Sequence, residues 1–283
     1  MTLPGDDAGR IVRMRLATYN IHACIGADGR YDPDRVVRVL LELNADVVAL
    51  QEVEQHAVGD MDLLQFLAAK TGYQAVAGPT LLRDTRDYGN AVLTRLPIVT
   101  MQRIDLSLPR REPRGALDVA LDWHGQRLQV VATHLGLRPG ERRCQVGRLL
   151  ELLESGSADI SVLLGDLNEW LLWGRPLRWL RRHFTATPEP RTYPTRFPLF
   201  ALDRIWVCPR NALVNIGIHD SPTARAASDH FPLKAELAVL PAGSRAQVPG
   251  RWLRGQQRRH CRACRTLSGY FCASWRNLPV SSR

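Results

Sequence analysis

Cysteine and long apolar runs are scarce in this chain of 283 residues. Its six cysteines are too few for a disulfide framework in a chain of this length, so we expect a protein of the reducing cytoplasm. No apolar run approaches the ~20 residues that a membrane-spanning helix needs. Residues 1–10 contain Asp6 and Asp7 and no apolar stretch, so we also expect no secretory signal.

Several motifs that mark common enzyme families are missing as well. The sequence contains no G-x-x-x-x-G-K-[ST], no G-x-G-x-x-G, no G-x-S-x-G and no H-E-x-x-H. Their absence argues against P-loop NTPases, Rossmann dehydrogenases, α/β-hydrolases and zincin metalloproteases. An active site in this chain therefore has to be built from other residues.

Positive charge is concentrated towards the end of the chain. The formal net charge is +10, and residues 241–283 hold nine arginines without Lys, Asp or Glu, which leaves +1 for residues 1–240. Repulsion between like charges favours an extended, solvated chain. We therefore place a domain boundary after Leu240 and predict a disordered basic tail, which would attract anionic lipid or nucleic acid.

The tail also contains one Cys-x-x-Cys pair, formed by Cys261 and Cys264, with His260 before it and Cys272 after it. This spacing is found in zinc sites. No second pair follows, so we favour a loose arginine-rich tail over a zinc knuckle.

Residues 1–240 alternate between short apolar runs and helical patterns. For example, the spacing of Val36, Val37, Leu40 and Leu43 predicts a helix with Asp32 as its cap. The predicted strands are 13–21, 46–53, 73–77, 90–95, 98–106, 116–123, 127–134, 160–164, 202–207 and 231–239, and the predicted helices are 33–43, 60–70 and 139–154. Hairpins mixed with helix-linked strands suggest an α/β sandwich with helices packed outside two sheets.

Polar residues of the types used in catalysis stand where the predicted strands meet loops. A single Asp or Asn there is usually a turn-former or a helix cap, and a lone His is usually structural. Seven such places fit poorly with turn chemistry alone, and strand ends on a rigid scaffold hold catalytic groups in position. The seven places hold Asn20, Gln51 with Glu52, Asn90, His134, Asp166 with Asn168, Asp203, and Asp229 with His230.

Seven short motifs surround these residues in a fixed order within residues 13–240. They are TYNIH, LQEVE, GNAVLTRLPI, THLGL, LLGDLNEW, LDRIWV and SDHFPL. The set resembles the endonuclease/exonuclease/phosphatase superfamily, which includes DNase I-like nucleases, abasic-site endonucleases, inositol polyphosphate 5-phosphatases and neutral sphingomyelinases. G-D-x-N, S-D-H and L-Q-E together make the resemblance specific, and THLGLRPGERRCQ and RTYPTRFPLFALDRI further resemble a bacterial branch.

The resemblance implies a four-layered α/β sandwich, DNase I-like, with two packed mixed β-sheets flanked by helices and the site at one end of the sheets. It also implies Mg²⁺-dependent cleavage of a phosphate ester, with Mn²⁺ able to substitute. By matching motifs, Glu52 corresponds to the principal metal ligand, with Asn20 beside it and Asp229 nearby. Oxygen donors of this kind suit Mg²⁺.

Matching motifs also imply roles for the remaining site residues. Asp166 corresponds to the group that positions or deprotonates the attacking water, and Asn168 to a donor to the phosphoryl oxygens. His134 and His230 correspond to the pair that contacts the scissile phosphate, with Asp203 orienting His230. The sequence leaves open whether Asp166 or His230 is the general base.

Two further residues are candidates for substrate binding. Asn90 belongs to the GNAVLTRLPI motif. Arg142 begins a helix after THLGL, together with Arg143 and Gln145, and these three residues either face phosphate or, as the default interpretation, form a solvated helix face.

One residue, His22, and one segment have no assigned role. His22 stands where some nucleases of the superfamily carry an Asp, and it is either a polar strand-end residue or part of the site. The segment WLLWGRPLRWLRR after GDLN is interpreted as a packed helix with its loop. The alternative is a substrate-specific or membrane-surface loop, because Trp and Arg suit an anionic interface.

Two classes of function therefore remain. The first is a metal-dependent phosphoesterase, and the near-neutral charge of residues 1–240 favours a lipid-type or small phosphoester over duplex DNA as its substrate. The second is a non-catalytic binding module that has kept the fold. The complete set of candidate catalytic residues favours the enzyme, which we expect in the cytoplasm or peripherally at the membrane.

Overall fold

The computed structural model describes residues 11–54, 57–83, 86–185 and 187–240, with residues 81–83 and 86–87 described by their backbone alone. The predicted basic tail, residues 241–283, lies outside these residues. In chain order the elements are β1 (Val12–Asn20), α1 (Pro33–Leu43), β2 (Val47–Glu54), β3 (Ala57–Val58), β4 (Met61–Asp62), α2 (Leu63–Thr71), β5 (Gln74–Arg83), β6 (Arg86–Thr94), β7 (Ile98–Asp105), β8 (Gly115–Trp123), β9 (Gln126–His134), α3 (Pro139–Ser155), β10 (Ile160–Asp166), α4 (Arg175–Phe184), β11 (Asp203–Cys208), β12 (Leu213–Ile218), α5 (Pro222–Ala227) and β13 (Leu233–Val239).

Local sequence signals account for the first two helices. The side chain of Asp32 accepts a hydrogen bond from the backbone N–H of Arg35, which caps α1 as the sequence predicts. Asp62 caps α2 in the same way, and Gly72 ends that helix in the left-handed conformation. The helix predicted from residue 60 begins three residues later, because the residues before it form the short β3–β4 hairpin.

Two sheets form the centre of the structure. The six-stranded sheet has the order β12-β13-β1-β2-β6-β5, and the five-stranded sheet has the order β11-β10-β9-β8-β7. The pairs β1–β2 and β9–β10 are parallel and the other neighbouring pairs are antiparallel, so both sheets are mixed.

Three apolar clusters separate four layers. Side chains such as Val92 and Leu117 fill the space between the two sheets. Leu40 of α1 belongs to the cluster that covers the outer face of the six-stranded sheet, and Leu149 of α3 and Leu180 of α4 belong to the cluster that covers the other sheet. The four-layered α/β sandwich is therefore confirmed.

One strand of the six-stranded sheet escapes sequence analysis. β12 lies at the edge of that sheet, and all its side chains after Leu213 are exposed or half-buried. An edge strand buries little apolar surface, so it leaves no continuous apolar run in the sequence.

The tryptophan-rich segment divides into two parts. Leu177 and Leu180 of α4 are buried in the core, as expected for a packed helix, whereas residues 170–173 are exposed. None of the described helices is long and apolar enough to cross a membrane.

Gly165 allows β10 to approach β9 closely. Its φ is +142°, and a Cβ added there would collide with the carbonyl oxygen of Thr133 on β9. Only glycine combines this backbone conformation with such a contact. The G-D of the G-D-x-N motif therefore has a structural role immediately before Asp166.

We expect Gly165→Ala to destabilise the fold by at least about 2 kcal/mol, because the added methyl group would meet backbone at a φ that L residues avoid. Urea unfolding measures the change. The matched control is Gly147→Ala in α3, where nothing lies within 4 Å of the added Cβ and alanine should stabilise the helix by up to about 1 kcal/mol. Equal stability of the two variants would contradict the close approach.

Candidate active site

Three candidate residues lie side by side on neighbouring strands of the five-stranded sheet. Asp166 of β10 is opposite His134 in the parallel pair with β9 and opposite Asp203 in the antiparallel pair with β11. Residues that lie far apart in the sequence therefore meet at one sheet edge through strand register alone.

The other sheet contributes Asn20 and Glu52. Pairing of β2 with β6 shifts register between Leu50 and Val53, and Glu52 has a φ of +57° within this bulge. Asn20, the last residue of β1, places its Nδ2 3.0 Å from Glu52 Oε1 and 3.1 Å from Asp166 Oδ2. One amide thus joins carboxylates from both sheets.

The carboxylates around Asn20 fit a divalent metal ion. Burial raises the pKa of Glu52, and the charge of Asp166 adds to this rise, against the hydrogen bond from Asn20. A dication would offset both effects, and the donors are the oxygens that Mg²⁺ prefers. Asp229 is half-buried nearby, with its Oδ1 3.6 Å from Nδ1 of His22, so His22 lies next to this group.

A buried Asp–His pair forms a second group. Asp203 Oδ2 accepts hydrogen bonds from His230 Nδ1 at 2.8 Å and from the Thr192 hydroxyl at 2.6 Å. Ligand atoms of Asp166, Asp203 and His230 also lie within 4.8 Å of one another, a spacing compatible with a metal ion. Both hydrogen bonds go to Asp203 Oδ2, whereas Asp203 Oδ1 is buried and has no hydrogen-bond partner among the described residues.

The two site histidines differ in their protonation. Burial by itself lowers the pKa of His230, but Asp203 outweighs it and raises this pKa to about 10. For His134, burial lowers the pKa to about 3, and the charge of Arg114 adds to the fall. At neutral pH the His230 ring is therefore charged and the His134 ring is neutral.

Arg114 is a residue that sequence analysis missed. Its Nη1 lies 3.2 Å from His134 Nδ1, and its Nη2 pairs with Glu112 at 2.9 Å. A guanidinium can only donate, so Arg114 favours an accepting Nδ1 and a ring proton on Nε2. That Nε2 faces Asp166 Oδ2 at 3.6 Å, but it also lies 3.0 Å from Nδ2 of Asn168, which is a second donor. A neutral His134 ring therefore accepts from Arg114 or from Asn168, and not from both.

Thr192 and Tyr193 were also missed. Thr192 donates to Asp203, as described, and the Tyr193 ring packs against the His230 ring with a centroid distance of 4.7 Å. Both residues belong to the RTYPTRFPLFALDRI segment, whose resemblance to a bacterial branch was the only signal that pointed to them.

The structure does not bring every predicted residue to the cluster of polar side chains around Asp166. Asn90 is buried, donates its Nδ2 to the Gly115 carbonyl, and has no partner for its Oδ1 among the described residues. Asn168 joins the cluster, since its backbone N–H bonds to Asp166 Oδ1 at 2.9 Å.

Arg142 is fully buried rather than solvated. Its guanidinium pairs with Glu169 at 3.1 Å and donates to the carbonyl oxygens of Gly136 and Leu137. A direct contact with substrate would require this pair to open. Gln145 is buried as well, so of the three residues suggested for a solvated helix face only Arg143 is exposed.

The four-layered sandwich and its strand-end site define a DNase I-like α/β protein. The chain belongs to the endonuclease/exonuclease/phosphatase family, because the sequence model of that family matches residues 17–230. Enzymes of this family are in general phosphoester hydrolases and nucleases.

Several relatives support this assignment. The chain is 33% identical to protein YbhP of Escherichia coli over 248 residues, which cover 79% of this chain and 95% of YbhP. The endonuclease/exonuclease/phosphatase structure from Beutenbergia cavernae is 25% identical, with a TM-score of 0.67 and coverage of 80% and 72% of the two chains. The structure from Bacteroides vulgatus, 18% identical, has a TM-score of 0.67 over 81% and 99% of the chains, which shows a shared fold.

We expect Arg114→Met to shift the tautomer of His134 towards Nδ1–H, because Asn168 Nδ2 would then be the donor that faces the ring, at Nε2. Ring nitrogen NMR shifts at neutral pH should show a larger share of the Nε2–H tautomer in the wild type than in the variant. The control is Arg13→Met, which removes a surface pair with Glu236. Equal tautomer populations in Arg114→Met and the wild type would contradict this role of Arg114.

Proposed function

We propose that this protein is a Mg²⁺-dependent phosphoesterase and that the residues around Asp166 carry the reaction. The observation behind this proposal is the position of Asp166 Oδ2. It lies 3.1 Å from Asn20 Nδ2, 3.6 Å from His134 Nε2 and 3.8 Å from His230 Nε2. A carboxylate surrounded by N–H donors suits a reaction in which water attacks an ester and the resulting anion needs fixed donors.

The two histidines and Asn168 would bind the phosphoryl oxygens. Nε2 of the neutral His134 ring and Nδ2 of Asn168 lie 3.0 Å apart, which is a hydrogen-bond distance. A phosphoryl oxygen bound here would take the place of this contact and accept from Asn168 Nδ2, and from His134 when its proton is on Nε2. His230, charged and held by Asp203, would add a donor that counters the charge of the phosphate.

Asp166 is the better candidate for the group that orients water and accepts its proton. The His230 ring already carries its second proton, because Asp203 accepts the Nδ1–H bond and raises the pKa of the ring. His230 would instead donate from Nε2 to a phosphoryl or leaving-group oxygen.

Glu52, with Asp229 at the edge, would hold the metal. Asn20 would position Glu52 through its Nδ2, because its Oδ1 accepts from the backbone N–H of His22 at 3.0 Å. A bound Mg²⁺ supplies Lewis-acid stabilisation of the phosphoryl oxygens, and Mn²⁺ has a similar preference for oxygen donors.

We propose a lipid-type or small phosphoester as the substrate rather than duplex DNA. Residues 1–240 carry a net charge of only +1, whereas binding along a duplex depends on neutralising many phosphates. Turnover of DNA, RNA, phospholipids, inositol phosphates and bis(p-nitrophenyl) phosphate at low and high salt would separate these substrates, because nucleic-acid binding weakens steeply with salt.

We expect Glu52→Gln to raise the Mg²⁺ concentration for half-maximal turnover of bis(p-nitrophenyl) phosphate by at least about tenfold, because an amide carries no net charge toward the cation. Titration of Mg²⁺ into both proteins measures the shift.

The control for this titration is Glu236→Gln, which removes a surface carboxylate paired with Arg13 and should titrate like the wild type. Equal turnover of Glu52→Gln and wild type at subsaturating Mg²⁺ would refute the metal assignment. A wild type without turnover on any phosphoester, with Mg²⁺ or Mn²⁺, would instead favour the binding module.

We expect Asp203→Asn to keep the fold and to lower kcat by about 10²–10⁴-fold, with a smaller effect on KM, because an amide neither stabilises the His230 imidazolium nor enforces its tautomer. Steady-state kinetics across pH measure this. Asp118→Asn is the control, since Asp118 accepts a bond from neutral Gln129 in the same sheet. Full kcat at every pH would mean that His230 works without Asp203.

A further inference from the structure

Apolar surface is concentrated on three loops next to the cluster around Asp166. These loops carry half of the large apolar side chains that are exposed in the described part of the chain. Leu137 follows β9, residues 170–173 with the sequence Trp-Leu-Leu-Trp follow β10, and Phe197, Leu199 and Phe200 precede β11. Their exposed fractions range from 36% for Phe200 to 71% for Trp173. We call these side chains the apolar rim.

Contacts between the loops make the apolar rim one preformed surface. The Trp170 ring packs edge-on against the Phe200 ring, with a centroid distance of 6.1 Å. The buried Arg142 joins the loop after β9 to the loop after β10, because it binds both the Leu137 carbonyl and Glu169. Such contacts hold exposed apolar groups in place without covering them.

The apolar rim adjoins the proposed reaction site. Trp170 follows Asn168 by two residues, and the loop of Phe197 is held to the site by two contacts. Tyr193 packs on His230, and the backbone N–H of Thr195 bonds to the Asp229 carbonyl at 2.8 Å. A surface that covers the apolar rim would therefore lie next to the site.

The exposed charges on the three segments that carry the apolar rim are all positive. Within residues 135–143, 169–182 and 190–200, all of which are described, every exposed charged side chain is an arginine, and Glu141 and Glu169 are buried. The arginines include Arg138, Arg175, Arg178 and Arg196. The surface thus combines apolar insertion with attraction for anions.

This combination fits an anionic bilayer better than a nucleic acid. Trp, Leu and Arg together are typical of surfaces that insert into the headgroup region of anionic membranes. Single strands bind by stacking bases on aromatic rings, but half of the apolar rim is leucine, which offers no ring for stacking.

We propose that the apolar rim docks on an anionic lipid bilayer and holds the cluster around Asp166 at the level of the headgroup phosphates, so that the substrate is a phosphoester of a membrane lipid. The identity of the substrate rests on the proposed function. The docking itself does not, because a bilayer can bind this surface whether or not the site is active.

The test measures partition of the full-length protein onto phosphatidylcholine vesicles that contain phosphatidylglycerol, at about 0.1 M and about 1 M NaCl. Salt screens the basic tail and the arginines, but it does not weaken apolar insertion. We expect a salt-resistant fraction in the wild type. Trp173→Ala combined with Phe197→Ala should weaken partition at high salt by at least about tenfold.

Two matched variants control this measurement. Val99→Ala with Met101→Ala removes exposed apolar side chains from the half of β7 that pairs around Leu121, away from His134, and should bind like the wild type. Arg178→Gln with Arg196→Gln removes charge but no apolar ring, and it should weaken binding at low salt only.

Equal high-salt partition of the Trp173/Phe197 and Val99/Met101 variants would overturn the proposal, as would a wild type without a salt-resistant fraction. Binding of single-stranded DNA that depends on Trp173, without vesicle binding, would identify a nucleic-acid surface and also overturn it. The Trp173/Phe197 variant should lose turnover of vesicle phospholipid but keep turnover of bis(p-nitrophenyl) phosphate. If every protein lacks turnover while vesicle partition follows the expected pattern, the proposed reaction fails and the docking surface stands.

Discussion

The close approach of β9 and β10 at Gly165 is the constraint on which the rest of the site depends. It allows parallel pairing to continue to the strand ends, where His134 and Asp166 are opposite each other and Asp203 follows on β11. A side chain at this glycine would push β9 and β10 apart and would change the distance between His134 and Asp166. Precise placement in this site therefore originates in backbone packing, before any polar contact forms.

The two histidines show how neighbours select a protonation state. His134 and His230 are each 5% exposed, so burial disfavours the charged form of both rings. Asp203 reverses this effect for one ring, and Arg114 reinforces it for the other. One site thereby contains a neutral ring and a cationic ring built from the same residue type, on either side of Asp166.

The loops that follow the strands use a buried ion pair as their support. Arg142 and Glu169 would each be costly to bury alone, but the pair and the loop carbonyls satisfy them. Residues 170–173, which directly follow the buried Glu169, are exposed beside the site. The same loops therefore hold the polar cluster and present the apolar rim.

The sequence by itself determined the layered fold, most strands and most residues of the polar cluster around Asp166, because apolar periodicity and short motifs are local signals. Only the tertiary structure decided which residues meet. Arg114 is one of 36 arginines and has no local mark, yet strand pairing places it on His134. The sequence favours a solvated helix face for Arg142, whereas the structure buries its guanidinium against Glu169, 27 residues further along the chain. Such pairs depend on register between distant strands and loops, which no window of sequence contains.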